Sequence, residues 1–164
     1  MSVTDELFQS NETYAQSFSA GELPMPPARR VVVIACMDAR LNPYGMLGLR
    51  EGDAHVIRNA GGVVTDDVIR SLLISQRLLG TSEVALIHHT DCGMLTFRDD
   101  DVKAAVQADT GLRPPFALEA FGDPDEDVRQ SIARIKANPF VPDKSSVRGF
   151  VYDVSSGRLR EVTA

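Results

Sequence analysis

Two cysteines and a histidine are the residues in this sequence best suited to hold a metal ion. His89 and Cys92 stand in an H-x-x-C spacing, close enough for one loop to present an imidazole and a thiolate to the same ion. Cys36 lies far upstream and completes a Cys₂His set if its element neighbours that loop. Three protein ligands leave a fourth tetrahedral position for water, the arrangement of a catalytic rather than a structural zinc site. The same residues admit plainer readings. They are consistent with two buried free thiols beside a surface histidine. They also allow a disulfide between Cys36 and Cys92, which needs an oxidising compartment and leaves His89 unexplained. His88 competes with His89 as ligand, but neighbouring strand residues point to opposite faces and only His89 has the H-x-x-C spacing.

Asp38 and Arg40 follow Cys36 at a two-residue separation. A surface ion pair is the ordinary expectation for such neighbours. Beside a metal-bound water, however, a carboxylate can accept the water's proton in a hydrogen bond and orient it, and an arginine bidentate to that carboxylate would fix the orientation. Arg58-Asn59-Ala60-Gly61-Gly62 invites comparison with a dinucleotide-binding turn but is not G-x-G-x-x-G. The helix expected after it opens Thr65-Asp66-Asp67, and two carboxylates there occupy the dipole end that a phosphate would need. Gly61 and Gly62 read instead as a tight turn with close backbone approach.

The elements that must position these residues follow from periodicity. Val31-Val32-Val33-Ile34-Ala35 is a short β-branched run without alternation, as in a parallel strand covered on both faces, and it ends at Cys36. Residues 42–49, with Pro43 near the start, predict a short helix, and 54–57 a second strand. Ile69, Leu72, Leu73 and Leu79 form a helical stripe between Thr65 as N-cap and Gly80 as C-cap. A third strand over 83–87 then leads toward His89 and Cys92. Strand, helix, strand, helix, strand is the order of βαβ units. The fold class expected is therefore α/β, a central mostly parallel sheet flanked by helices, whose C-terminal strand edge is where ligands bind. Further helices are predicted over 99–108 and 125–137, and a terminal hairpin or edge strand over 150–154 and 159–162 with its turn at Gly157. Residues 3–19 read as an amphipathic helix or arm, set off by Pro24, Pro26 and Pro27, while 111–124 is an irregular excursion.

At 164 residues and 43% hydrophobic content the chain predicts one domain, an arm over 1–28 and an α/β core over 29–164. A net charge of -6 repels phosphate backbones and anionic headgroups, which argues against nucleic acid and membrane surfaces as partners. No apolar run approaches the roughly 20 residues of a membrane span, the first residues do not resemble a signal peptide, and two cysteines are no disulfide scaffold. A cytoplasmic location with reduced thiols is the expectation.

The assembled motifs resemble those of the β-class carbonic anhydrases. Cys36-Met37-Asp38-Ala39-Arg40 is similar to the family's C-x-D-x-R motif, Arg58-Asn59-Ala60-Gly61 to its R-N-A-G turn, and His89-Thr90-Asp91-Cys92-Gly93 to its H-x-x-C-G motif, in the family's order. The resemblance covers roughly residues 29–95. It implies Zn²⁺ on Cys36, His89 and Cys92, a catalytic dyad of Asp38 and Arg40, and the reversible hydration of carbon dioxide to bicarbonate. It further implies a closed state in which Asp38 takes the fourth zinc position. A homodimer or an oligomer of dimers is implied as well, with the N-terminal arm on the partner and the active sites near the interface. Plant-type members carry a glutamine ahead of the first metal-binding strand, where this chain has Pro24 to Pro27, so the likeness is to a compact, non-plant branch. Two rival functions remain at this point: a carbonyl sulfide or carbon disulfide hydrolase with the same zinc site, and a non-catalytic zinc-binding α/β module.

Overall fold

Strand β1 (Val31–Cys36) is buried at every residue after Val31, as its unbroken apolar run requires, because a strand covered on both faces has no solvent side for polar residues. It runs parallel to β2 (Ala54–Asn59) on one side and to β3 (Glu83–His89) on the other. Strand β4 (Ser146–Tyr152) continues parallel to β3, and β5 (Leu159–Val162) ends the sheet antiparallel to β4. The order is β2-β1-β3-β4-β5. This is the mostly parallel α/β sheet expected from the alternation of elements. The C-terminal hairpin is present too, but its first strand starts earlier, at Ser146, and belongs to the parallel part. The computed structural model describes residues 2–163, so residues 1 and 164 lie outside it.

One face of the sheet carries the main core. Helix α3 (Asp66–Leu79) contributes Val68 and Leu72, and helix α5 (Pro124–Ala137) contributes Val128, Ile132 and Ile135, against Val32, Ile34, Val84, Leu86, Val147 and Val151 of the strands. Thr65 caps α3 by accepting the Val68 N–H, and Gly80 ends it at a left-handed φ of 72°. Asp123 caps α5 through the N–H groups of Asp125 and Glu126, so that Pro124 is the first helical residue rather than the last of the excursion. Proline is tolerated there because its missing N–H would have had no intrahelical partner.

The opposite face is more thinly covered. Val33, Ala35 and Ile87 meet the short helix α2 (Pro43–Leu47) and the half-buried Leu49, Val56 and Tyr152. Helix α4 (Asp99–Thr110) packs no residue into the core, and neither does α1 (Val3–Gln16), whose start is fixed by a capping box between Ser2 and Asp5. Its described tie to the rest of the chain is the Tyr14 hydroxyl, which donates to Glu51 at 2.5 Å. Past the prolines, the Ala28 and Arg29 N–H groups donate to the Gly52 and Asp53 carbonyls at 2.9 Å, laying this segment beside the approach to β2. Among the described residues no helix is long and apolar enough to cross a membrane.

Candidate metal centre

Strand order brings the distant motifs together. β1 and β3 are neighbours, and because β2 and β3 lie on opposite sides of β1, the chain reverses its winding direction here. The crevice outside the strand ends at such a reversal is where open α/β sheets bind ligands. Cys36 is the last residue of β1, His89 the last of β3, and Cys92 follows after a two-residue turn. All three are buried, and one ligand atom from each lies within 4.8 Å of the others. The Cys36 and Cys92 sulfurs are 4.0 Å apart and both thiols are free, so the disulfide reading does not describe this chain.

The donor chemistry fits a metal. His89 Nδ1 is 2.8 Å from the Thr90 carbonyl, an acceptor only, so this nitrogen carries the proton and Nε2 presents its lone pair. Among the described residues Nε2 is buried without a hydrogen-bond partner, an arrangement that costs free energy unless something outside the chain completes it. Thr90 is itself fixed, its N–H donating to the Tyr152 carbonyl at 2.9 Å and its hydroxyl accepting the Val154 N–H at 3.1 Å. The hydrogen bond shared by the two sulfurs holds one thiol of the pair well below its ordinary pKa and pushes the other up. One thiolate is thus stabilised before any metal arrives, and a cation would release the second proton.

His88 points away from this cluster, as strand alternation required. It is fully buried, with Nε2 2.7 Å from the Asp127 carboxylate and its ring 5.4 Å from that of Phe121. It is therefore a core residue rather than a surface one. His55 reaches the Ser75 hydroxyl at 2.7 Å and takes no part in the cluster.

Asp38 and Arg40 are more than a surface pair. Arg40 donates from Nε to Asp38 Oδ1 at 3.0 Å and from Nη2 to Oδ2 at 2.8 Å, and its backbone N–H adds a contact to Oδ1 at 2.9 Å. This grip holds the Asp38 carboxyl far below the usual carboxylate range. Asp38 Oδ2 then faces His89 Nε2 at 3.8 Å. Arg40 also spans to the other motif, donating to the Asp91 carboxylate at 2.7 Å and the Asp91 carbonyl at 2.9 Å. Asp91 sits between the two downstream ligands at a left-handed φ of 54°, a conformation aspartate tolerates better than most residues.

Arg58 and Asn59 belong to β2 rather than to the turn after it. Arg58 donates to the carbonyls of Cys36 at 3.0 Å and Asp38 at 2.7 Å, tying down the backbone that carries both residues. Motif reading located Arg58 but gave it no role, and it missed Asp91 and Thr90. The signal available was their position inside or beside the motifs, where backbone carbonyls at a strand end need donors. Gly62 crosses this edge at φ 72°. A Cβ there would lie 2.8 Å from the Cys36 nitrogen and 3.1 Å from the Ile87 carbonyl oxygen, so close approach is its function. A cavity of about 370 Å³ opens over the cluster, walled by Met37, Gly61, Met94 and Phe97, with Asp38 as its one charged side chain.

A family profile described as carbonic anhydrase matches residues 31–115. A β-carbonic anhydrase 1 from Mycobacterium tuberculosis is 62% identical over 163 residues, covering 99% of each chain. The chain belongs to the β-carbonic anhydrase family. The crystal structure of a carbonic anhydrase from Streptococcus mutans superposes with a TM-score of 0.93 at 43% identity, covering 99% of each chain. A carbon disulfide hydrolase from Acidithiobacillus thiooxidans is 34% identical over 181 residues, covering 98% of this chain and 90% of that protein. Carbonic anhydrases and at least one sulfur-analogue hydrolase thus share this framework.

Proposed function

We propose that this chain catalyses the reversible hydration of carbon dioxide to bicarbonate and a proton, with Cys36, His89 and Cys92 holding Zn²⁺ and Asp38 and Arg40 as the catalytic pair. The observation that carries the reading is the buried, partnerless His89 Nε2 beside two free thiols, facing a carboxylate that an arginine already grips. Bound there, zinc supplies the Lewis acid that makes water a nucleophile near neutral pH.

The chain's own residues do the rest. Asp38, held ionised by Arg40, can only accept a hydrogen bond, so it turns a water's proton toward itself and a lone pair toward the substrate. Arg40 fixes both carboxylate oxygens and keeps Asp38 from swinging. Two thiolate ligands offset more of the cation's charge than imidazoles do, and this makes help from Asp38 more important. Met37, Met94 and Phe97 give an apolar substrate a dry wall without competing hydrogen-bond partners. Asp38 is also the candidate fourth ligand of a closed state, which would require it to leave Arg40 and cross the short gap toward His89.

The same reading takes residues 1–28 as an arm on one domain formed by 29–164. It takes the working form as a homodimer or an oligomer of dimers, supported by an α1 that buries nothing in its own chain. A cytoplasmic location is supported by two ligand cysteines that must stay reduced. Zinc content and stopped-flow carbon dioxide hydration of Asp38→Ala test the assignment. Zinc should be retained and kcat/KM should fall about 10–100-fold. Unchanged turnover would remove Asp38 from the mechanism, and a wild-type protein that binds zinc without turnover would leave the binding-module reading. The apolar pocket and the 34% identity to a carbon disulfide hydrolase favour one second reading, hydrolysis of a sulfur analogue at the same site. Parallel assays with carbon disulfide and carbonyl sulfide separate the two.

A further inference from the structure

The segment from Leu118 to Phe121 has no regular structure, yet it is gripped from two sides. Asp99, the first residue of α4, accepts the N–H groups of Leu118 at 2.7 Å, Glu119 at 3.2 Å and Ala120 at 2.9 Å with its one carboxylate. Burial pushes the Asp99 pKa up, but these three donors outweigh it and hold the group below the usual carboxylate range. From the other side Arg134 of α5 grips the Glu119 carboxylate with two bonds of 3.0 Å while donating to the Val64 carbonyl, also at 3.0 Å. Between these clamps Glu119 has a left-handed φ of 63°. A non-glycine residue persists there only where its surroundings over-determine it, and such positions concentrate near functional sites.

Packing alone does not hold this strap. A cavity of about 780 Å³ borders it at Glu119 on the α3 side, and one of about 410 Å³ borders it from Glu119 to Gly122 on the other. The strap ends at Phe121, whose N–H donates to the Met94 carbonyl at 3.3 Å. The Phe121 ring packs against the buried cluster that holds Cys36, Leu41, Cys92 and Met94, and a Cβ on Gly61 would be 3.0 Å from it. Met94 lines the pocket together with Cys36 and Cys92. One mechanical path therefore runs from Asp99 through the strap and Phe121 to the pocket wall and the environment of a candidate ligand.

We propose that Asp99 is a positioning residue: by gathering the Leu118, Glu119 and Ala120 N–H groups it sets Phe121 behind Met94 and Gly61, and so fixes the pocket wall beside Cys36 and Cys92. This rests on the metal site assigned above. Replacing Asp99 by asparagine keeps the size, removes one acceptor oxygen and turns an NH₂ toward backbone donors, so the strap loosens and Phe121 loses its register.

The test compares Asp99→Asn, Phe121→Leu and the double variant in the Co²⁺-substituted, full-length protein. Its readouts are the sulfur-to-cobalt charge-transfer band, amide hydrogen exchange and carbon dioxide kcat/KM. Asp99→Asn should speed exchange at Leu118 to Phe121 and at Met94 by about ten-fold or more. It should shift the charge-transfer band and lower kcat/KM several-fold. In the Phe121→Leu background the same change should add little to the band shift or the rate loss, because the effect passes through Phe121. Additive effects, or a stability loss with an unmoved band and unmoved Met94 exchange, would overturn the proposal. Should Asp99→Asn fail to fold, Glu119→Gly removes the second clamp while suiting the left-handed backbone, and it should move the same readouts in the same direction. A wild-type protein with no thiolate charge-transfer band would contradict the metal-site assignment. Coupled Met94 exchange would then decide the strap on its own.

Discussion

Helices α1 and α5 are each 14 residues long and meet opposite fates. α5 buries Val128, Ile132 and Ile135 against the sheet, places Asp127 on His88, and is capped at its start by Asp123. α1 is capped equally well but buries nothing: Leu7 is 67% and Phe8 72% exposed, and Val3, Leu7 and Tyr14 repeat along one helix face. A helix of this length is marginal in water without tertiary contacts, so good capping cannot be what keeps α1 folded. The difference separates two jobs for amphipathic helices. One completes the chain's own core, and the other leaves its apolar face exposed, as the proposed oligomer contact would need.

Perturbing each helix should sharpen that contrast. The largest effect on stability is expected from Ile135→Ala, which empties a fully buried site on α5 and should cost about 2–5 kcal/mol in chemical denaturation. Gly149→Ala on β4 comes next. Its new Cβ would overlap Val128 Cγ1 and press on Ile132 Cδ1, so overpacking beneath α5 should cost about 1–3 kcal/mol, read as a lowered Tm.

A smaller effect, of order 0.5 kcal/mol, belongs to the Asp125–Arg160 pair that ties α5 to β5, with both bonds at 2.7–2.9 Å. Arg160 lowers the Asp125 pKa, so the unfolded chain binds this proton more readily. The pair's contribution is thus complete above the unfolded pKa and is lost as pH falls through the folded one. Asp125→Asn should flatten the acid limb of the stability profile, and an unaltered limb would show the pair to be idle. The smallest effect on a dissociated chain is expected from the paired change Leu7→Asp and Phe8→Asp, about 0.5 kcal/mol or less. In sedimentation velocity the same variant should shift toward monomer, and an unchanged oligomer would break the contrast.

How far the sequence revealed each region follows the same division. Val31–Cys36 and the helical stripe of Ile69, Leu72, Leu73 and Leu79 were readable because burial on two faces or one leaves a period in the residues themselves, although the buried face centres on Val68 and Leu72. The metal cluster was readable because metal chemistry restricts residue type, but the adjacency of β1 and β3 that it needed is a condition the sequence leaves open, since crossover handedness does not fix strand order. The strap was not. Asp99 is, by sequence, only the first residue of a predicted helix, and nothing local to 118–121 announces that three of its N–H groups converge on a carboxylate some twenty residues away. Arg58 and Asp91 fall between these cases, since both lie within recognised motifs, yet their hydrogen bonds to Cys36, Asp38 and Arg40 depend on strand neighbours. Strand ends shifted for a related reason: Arg58 and Asn59 pair with Ala35 and Cys36, a long-range register that a two-residue polar extension does not disclose.

The most direct test of the account is stopped-flow carbon dioxide hydration by the full-length protein, metal-stripped and then reloaded with Zn²⁺, across neutral to alkaline pH. The expected result is no turnover without metal, recovery at one zinc per chain, and a rate that rises with pH. Full zinc loading with no hydration at any pH, alongside hydrolysis of carbon disulfide or carbonyl sulfide, would contradict it.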